Sequence, residues 1–578
     1  MQRRTNRSAP AATWMRTARS RGVVLVASLI VGVLILGLMM ASMTVAQATS
    51  KWLQHLLEQT EALSLAEAAT ELRQKALITE IANFAKEDVL TEPRTHALGK
   101  GGKPQTVISR VRRIGAGGAA ATDDLKTTDS DGVVSFVSYF QITARAVTGT
   151  SAIEVMRTVQ VGKNPVFQYG VFYDDDLEIL PGPDMTLAGR IHANGDIYLN
   201  GGATLRINSA YLRCTGEIYR EAKRAGEGTK GTTLILQRGS TTFAPMEADN
   251  APAARWVGSK VSPEYYGNFD GDPHQWVAYA DATWQGTVKT QAHGTKEVAS
   301  PQIKTITPGG YYHNEAGLVI EYAGNGVNVY ARRDGAVSAV TSVLPAGTVA
   351  LGTIYDGRQK KNLNTIEVDM AKLRDAGVMP DNGLVYAYRA DTTEETPHGV
   401  VFKNGKELSG ATMLVSPGPV YIQGDFNCPE AASSYAKQPS MLICDAVNLL
   451  SNAWDNTKTA ASGVPRAGAT TVNLAMASGI VRTPDTGGDY SGGLENFPRF
   501  HENWTGVTLR IRGSFMALFA SMYATGPWKN ATYGAPTRDW GFDPDLLNGG
   551  NAFAREIMPW AVSMRRVAWQ DNVESVLD

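Results

Sequence analysis

The side chains that could do chemistry in this 578-residue chain are thinly spread. None of its eight histidines forms a His-x-x-x-His pair, and no Cys-x-x-Cys pair occurs. Zinc sites usually need such spacing, because the ligands must converge on one ion. The chain also lacks a Gly-x-Ser-x-Gly nucleophile elbow and a phosphate-binding Gly-Lys-Ser/Thr loop. The sequence therefore predicts no catalytic residue, no metal ligand and no cofactor.

Three groups of acidic residues give weaker signals. The run Asp174–Asp176 would suit Ca²⁺, which takes several oxygen ligands, although a triple Asp before a Gly-Pro turn is more often a solvated loop. The pairs Asp270 with Asp272 and Asp543 with Asp545 lie beside Gly or Pro in turn-like contexts. Enzymes that cleave polysaccharides on a β-helix use clustered acids, so a carbohydrate-active protein is the alternative. Fold alone does not confer that activity.

The cysteines leave two interpretations open. If most of the chain is exported, a disulfide between Cys428 and Cys444 would close a loop worth about 3 kcal/mol in the entropic model. The other interpretation is three reduced, partly buried thiols, with Cys214 as the odd one.

Charge and composition exclude one class of partner. The net charge is −1 with 19% charged residues, so no basic face is available for nucleic acid. The 58 glycines, with many Thr, Val, Asn and Tyr, instead favour short strands joined by frequent turns.

The longest stretch without a charged residue is Val23 to Ala46, and it must set the position of everything else. About 24 helical residues span roughly 36 Å, enough to cross a bilayer core. Six arginines precede it, and no Asp or Glu occurs before Glu58. This positive-inside bias predicts a single-pass inner-membrane protein with a cytoplasmic N-terminus and its bulk in the periplasm or outside the cell.

The same stretch has two other interpretations. Ala46-Gln47-Ala48 would serve as a signal-peptidase site, but the apolar run is longer than the 7 to 15 residues typical of a secretory signal. In a prepilin-type segment, a short basic leader that ends in Gly is removed and the apolar helix becomes the new N-terminus.

The residues around Gly22 carry a family resemblance. Arg19-Ser20-Arg21-Gly22, the apolar Val23–Leu29 and the later run Ala62–Ala69 together resemble the N-terminal segment of PilX-type minor pilins, over about residues 19 to 80. In that family the helix holds the subunit in the membrane and later packs into the core of a filament. The resemblance implies cleavage between Gly22 and Val23. The fifth residue after Gly22 is Ala27, where a major pilin has Glu.

The region after the apolar stretch predicts a pilin-like unit. Apolar residues recur at helical spacing with no Gly or Pro from Lys51 to Lys86, so the helix should continue to about residue 87. Strand-like runs follow over Val107–Ile114, Val133–Val147 and Ile153–Val161. A helix backed by an antiparallel sheet is the simplest way to bury these strands.

A different pattern begins near Pro165. The tetrad Gly-x-Ile/Val-Tyr occurs five times, beginning at Gly195, Gly216, Gly352, Gly383 and Gly418. The first two copies fit one turn of a coil of short strands, with Gly at the corner and the branched residue inside. This favours a parallel β-helix-like body, whose stacked coils supply the core, over a β-sandwich.

One short helix interrupts the β pattern. Asp369 can cap a helix over Met370 to Ala376, and Gly377 can end it.

The predicted fold is mainly β with a long N-terminal transmembrane helix. We divide the chain into a leader (1–22), a transmembrane helix (23–46), a pilin-like helix extension and sheet (47–163) and a β-helix-like or β-sandwich region (164–578). The resemblance implies a structural or accessory subunit of a type IV pilus or type II secretion pseudopilus. Its partners would be the membrane and other pilin or pseudopilin subunits. A filament-borne adhesin, or a surface protein that binds or cleaves a glycan, is the alternative.

Overall fold

The first part of the molecule is one long helix followed by an antiparallel sheet. The computed structural model describes residues 20–99, 104–115, 124–224, 230–246, 273–457, 463–484, 488–530, 533–548 and 557–575, and most of the leader lies outside these ranges. The elements of this part are α1 (Ser20–Ala82), α2 (Glu87–Thr91), β1 (Arg94–Leu98), β2 (Gln105–Ile114), β3 (Leu125–Thr128), β4 (Val134–Thr148) and β5 (Ser151–Pro165).

The helix ends where the sequence predicts, within a few residues. No proline occurs between Pro10 and Pro93, so α1 runs unbroken for 63 residues. Two residues after its end, Phe84 has a φ of 62°, in the left-handed region that a phenylalanine rarely adopts. The ring of Phe84 stacks on Tyr311 with centroids 4.0 Å apart, and this contact holds the backbone in that turn.

Small residues bring the helix close to the sheet. Ala62, Ala66 and Ala69 are fully buried and form one apolar cluster with Ala144 and Val155, on β4 and β5 respectively. Alanine at three positions on one helix face allows the backbone of α1 to approach the strands closely. The predicted helix backed by an antiparallel sheet is therefore confirmed.

Strands of the second part pair mostly in parallel, coil upon coil. In chain order they begin with β6 (Tyr169–Tyr173), β7 (Leu177–Ile179), β8 (Met185–Ala188), β9 (Arg190–Ala193), β10 (Ile197–Leu199), β11 (Thr204–Asn208), β12 (Leu212–Cys214), β13 (Ile218–Tyr219), β14 (Thr232–Leu236), β15 (Phe243–Pro245), α3 (Pro273–Trp284) and β16 (Val288–Lys289). Three stacks run side by side, β6–β9–β12–β16, β7–β10–β13 and β8–β11–β14, all parallel.

The later elements are longer strands, which complete the stack, and two short helices. They are α4 (Tyr311–Glu315), β17 (Leu318–Tyr322), β18 (Val327–Arg333), β19 (Ala336–Ala339), β20 (Val349–Asp356), β21 (Lys361–Asp369), α5 (Met370–Asp375), β22 (Leu384–Arg389), β23 (Gly399–Lys403), β24 (Thr412–Gln423), β25 (Ser440–Leu450), β26 (Thr470–Ile480), β27 (Arg499–Phe500), β28 (Thr508–Ala520), β29 (Thr537–Phe542) and β30 (Trp560–Ser575). Strands β17, β22, β24, β25, β26 and β28 pair in parallel in that order, and β28 then pairs with β6.

The stack therefore does not follow chain order. The chain enters it in the middle at β6, builds coils outward to β16, resumes at the opposite end at β17 and returns to finish at β28, beside its entry point. Helix α3, whose Trp276 and Trp284 are buried, lies beside β16 at one end. The antiparallel β17–β18–β19 hairpins lie at the other. Both ends of the coil stack are thus covered, as a solenoid requires.

The tetrad residues do what their types predict, in the two copies that stack on each other. Ile197 pairs with Ile218 inside the coil, and the rings of Tyr198 and Tyr219 stack outside it with centroids 4.9 Å apart. A β-carbon on Gly195 would collide with a carboxylate oxygen of the preceding coil, so only glycine fits that corner. The strands of these coils pair in parallel, as a β-helix-like body would have them.

Residues 560–575 correct the predicted domain division. Strand β30 pairs antiparallel with β5 along its whole length and completes the sheet β1–β2–β4–β5–β30. We call α1, α2, β1–β5 and β30 the stalk, and residues 166–559 the body. The body is thus inserted between two neighbouring strands of the stalk sheet, whereas the sequence placed everything from 164 to 578 in one region.

The stalk and body share one apolar core. Leu77, Phe136 and Trp560 of the stalk belong to the same cluster as the outward side chains of the body's long strands, including Ile443 on β25 and Met516 on β28. These strands also face the coil interior through Leu442 and Phe515, among others. Burial on both faces explains why they are apolar throughout.

Candidate functional site

The first half of α1 is the most unusual surface of the molecule. Every described side chain from Val23 to Leu57 is exposed, and most are apolar. Within the described ranges, one helix is long and apolar enough to cross a membrane, and it is this one, near the N-terminus. The predicted cleavage position lies at its start: a β-carbon on Gly22 would meet nothing within 4 Å beyond the adjacent helix backbone, and Val23 is 69% exposed.

A set of hydrogen bonds to the sheet marks the level at which the exposed half of α1 ends. The Glu58 carboxylate accepts hydrogen bonds from the backbone N–H and the hydroxyl of Thr150, at 2.9 and 3.0 Å, in the turn between β4 and β5. The backbone hydrogen bond from Thr150 lowers the pKa of Glu58. One turn earlier, His55 Nδ1 lies 3.0 Å from the Ser151 hydroxyl. The sheet therefore holds the helix from this level onward.

A buried arginine, Arg73, fixes the second half of α1 to the short helix α2 that follows it. The Arg73 guanidinium donates to the Leu90 carbonyl oxygen at 2.5 Å and to the Glu80 carboxylate at 3.1 Å. Glu80 also pairs with Arg94 at 2.6 Å. Arg73 is fully buried, so these partners replace the water that its charge would otherwise need.

Three arginines of the body bind the turn between β3 and β4 of the stalk. The Asp131 carboxylate, between β3 and β4, pairs with Arg213 at 3.2 Å and with Arg238 at 2.5 Å. Arg190 donates to the carbonyl oxygen of Gly132 at 2.7 Å. Together with the shared apolar core, this contact fixes the body to the stalk sheet.

The acidic groups singled out in the sequence already have protein partners where the structure describes them. Asp174 accepts from the Asn194 amide, Asp175 pairs with Arg482, and Asp176 accepts from the Asp196 backbone and pairs with Lys223. No group of three or more His, Cys, Asp or Glu in the described ranges is arranged to hold a metal ion. The pair Asp543 and Asp545 shares Lys437, and the pair Asp270 and Asp272 lies outside the described ranges.

A buried group of polar residues around His501 was not predicted. His501 Nδ1 accepts from the Gly357 N–H at 3.3 Å, so Nε2–H donates to Asn448 Oδ1 at 2.9 Å. Asp356 Oδ1 lies 3.9 Å from the imidazole, and burial lowers the pKa of His501. His501 is only 7% exposed and Asp356 is fully buried, so this constellation has no path for a substrate. Its residues are far apart in sequence, and no spacing signal announces them.

The two cysteines of the predicted disulfide are not paired, which corrects that interpretation. All three cysteines are free thiols. The Cys428 thiol contacts the Thr471 carbonyl oxygen, whereas Cys444 pairs with Ser478 at the opposite end of β26. At about 3.3 Å per residue these positions are roughly 20 Å apart, well beyond the reach of a disulfide. Burial raises the pKa of Cys428 to about 11, which keeps the thiol protonated.

Comparison with known proteins gives distant structural neighbours. No protein-family model matches the chain, and no curated protein matches its sequence. A solved structure, the competence-associated pilin ComZ from Thermus thermophilus, is 11% identical and aligns over 90% of this chain and 98% of ComZ, with a TM-score of 0.26. The function proposed below therefore rests on the chain's own geometry. The glycan-binding alternative stays a prediction.

Proposed function

We propose that this chain is a pilin-like structural subunit, anchored in the inner membrane by α1, that contributes to a type IV pilus or a type II secretion pseudopilus. The body would lie on the periplasmic or outer side, as a minor or accessory component of the filament. The PilX-like N-terminal segment supports this family of roles.

The observation that carries the proposal is the length of the exposed part of α1. From Gly22 to Leu57, this part is about 54 Å long, whereas the hydrocarbon core of a bilayer is about 30 Å thick. Polar residues appear after Ala46, as they would in a simple anchor. Four large apolar side chains nevertheless lie among them and remain 44–69% exposed, namely Trp52, Leu53, Leu56 and Leu57. Apolar helix outside the bilayer needs protein to cover it, and the matching cover is the helices of neighbouring subunits.

Site-specific photo-crosslinking tests this proposal. A benzophenone amino acid at Leu57 should give covalent adducts with other pilin or pseudopilin subunits in the native cell, because this side chain faces a neighbouring helix in an assembly. The matched control is Val337, which is 59% exposed on the β19 strand of the body and should give none of these adducts. Crosslinks to lipid alone at Leu57 would contradict the proposal.

Mass spectrometry of the mature N-terminus separates the processing routes. A start at Val23 agrees with prepilin-type cleavage after Gly22. A start at Thr49 would mean signal-peptidase cleavage and loss of most of the bare helix, which would overturn the membrane-anchored subunit.

A further inference from the structure

Four side chains with complementary chemistry meet at one edge of the body. Lys403, at the end of β23, donates from Nζ to Glu367 Oε2 at 2.6 Å. The Asn456 amide, in the loop after β25, donates from Nδ2 to the other oxygen, Glu367 Oε1, at 2.8 Å. The indole of Trp454 donates from Nε1 to Asn456 Oδ1 at 2.6 Å. The Glu367 carboxylate thus accepts from both the Lys403 amine and the Asn456 amide, while the Trp454 N–H donates to the amide oxygen.

The orientation of the amide follows from its two partners. An indole N–H can only donate, so it must face the amide oxygen, and an ionised carboxylate can only accept, so it must face the amide nitrogen. The carbonyl of Asn456 is therefore polarised by Trp454. The amide nitrogen of Asn456 donates to Glu367, the same carboxylate that accepts from Lys403.

The surroundings are mostly dry. Trp454 is 7% exposed and belongs to an apolar cluster with Leu363, Val401 and Tyr421, among others. The Glu367 side chain is 12% exposed and that of Lys403 is 30% exposed. A β-carbon on Gly352 would collide with the Glu367 carboxylate, so this copy of the Gly-x-Ile-Tyr tetrad leaves the space that the carboxylate occupies.

We propose that Lys403 and Asn456 form an intramolecular amide bond, with Glu367 as the proton relay. Glu367 takes a proton from the Lys403 ammonium, and the free amine attacks Asn456 Cγ. Trp454 Nε1–H stabilises the negative charge on Oδ1 in the tetrahedral intermediate. Glu367 then passes the proton to Nδ2, the Cγ–Nδ2 bond breaks, and ammonia leaves and takes up the second proton from the attacking nitrogen. Lysine ammonium and asparagine amide become one secondary amide and one ammonium ion, with no oxidant or cofactor.

The bond would staple successive coils of the body. Lys403 pairs in register with Gln423 on β24, and Gln423 pairs with Leu450 on β25, directly before the loop that carries Asn456. A covalent link from β23 to that loop would span three stacked strands that are otherwise held by hydrogen bonds and packing. Such a link resists being pulled apart in a way that non-covalent contacts do not.

Mass spectrometry of the full chain, purified in detergent from its native membrane, tests the proposal. The intact protein should be lighter by about 17 Da, the mass of one ammonia, than its mature sequence requires. Loss of ammonia from an N-terminal glutamine gives the same change, so a branched peptide decides the matter. Trypsin should fail to cut after Lys403 and should release residues 390–406 joined to residues 438–458.

Variants assign the roles. E367Q and N456A should each restore the full mass and yield the two peptides separately, and both masses are readable even if a variant folds poorly. The matched control is E430Q, because Lys406 and Glu430 form an ion pair of similar length, 2.7 Å, without a bridging amide. E430Q should keep the branched peptide. Recovery of wild-type protein with unlinked peptides would overturn the bond, and persistence of the link in E367Q would overturn the relay.

Discussion

Asp196 shows at the level of one residue how the coils are joined. Its carboxylate accepts the Glu217 backbone N–H at 2.7 Å, and its own N–H is accepted by Asp176 of the preceding coil, also at 2.7 Å. Asp176 and Asp196 thus each satisfy a backbone donor of the next coil at a corner of the stack. The sequence predicted glycine at the corner and the branched residue inside, but not this ladder of carboxylates, because it depends on which coils are neighbours.

Replacing Asp196 tests this ladder. Asp196→Ala should lower the free energy of unfolding by about 1–3 kcal/mol, since the partly buried Glu217 N–H loses its acceptor. Asp196→Asn should retain most of the stability, because the amide oxygen can accept the same bond. Thermal unfolding of the detergent-solubilised chain is the measurement. Equal losses in both variants would mean that charge, rather than hydrogen bonding, is what Asp196 contributes.

Asp174 makes stability depend on pH. Burial raises the pKa of this carboxyl from 3.8 to about 6, against hydrogen bonds from Ser300 and Asn194 that lower it. The folded state therefore holds a proton that the unfolded state has released between about pH 4 and pH 6, so this group lowers the stability as the pH rises through that window.

The variant Asp174→Asn should remove that loss. Relative to the wild type it should gain stability as the pH rises from 4 to 7, by up to about 3 kcal/mol for a shift of this size. Below pH 4 the wild-type carboxyl is protonated in both states, so the two proteins should differ least there. Chemical unfolding at a series of pH values measures the gap, and a gap that narrows as the pH rises would contradict the assignment.

Among the elements, strand β30 stabilises both the stalk sheet and the core that the stalk shares with the body. It pairs with β5 along the entire strand, on the side away from β4, and it buries Trp560 and Val562 in the core shared by stalk and body. Its Arg566 also pairs with Glu71 on α1 at 2.5 Å.

Truncation tests the importance of this strand. Deleting residues 559–578 should expose β5 and remove apolar burial worth about 5 kcal/mol, so limited proteolysis should cut within residues 151–165. A chain that ends at Asp571 keeps Trp560 and Val562 and is the matched control, with β5 expected to stay protected. Protection of β5 in the longer deletion would show that the sheet is stable without its last strand.

Local elements were predictable because their signals are local. Asp369 accepts the Lys372 N–H at 3.0 Å and caps α5, as the sequence indicates, and Gly377 follows with a φ of 67°. The antiparallel β4 and β5 hairpin likewise follows from its turn residues and strand pattern. By contrast, nothing in the sequence of β30 marks it as part of the stalk sheet, and its partner lies far earlier in the chain. No spacing rule connects the two.

At the scale of the whole molecule, the coil stack was predictable but its order was not. The repeated tetrads indicate stacked coils, since each coil needs neighbours to bury its inner face. They do not indicate that the chain enters the stack in the middle, because β28 and β6 carry no tetrad and meet only in the folded chain. Of the two interpretations of the cysteines, the structure has free thiols, because Cys428 and Cys444 are close in sequence but lie far apart along β26.

The insertion of the body into the stalk has a consequence for biogenesis. Strand β5 is made long before β30, because the whole body lies between them in the chain. At about 5–20 residues per second, the roughly 400 residues between them take on the order of 20–80 s. During that interval β5 is an open sheet edge that can pair with any other extended chain. Correct folding of the stalk therefore requires that this edge stays unpaired until β30 has been made.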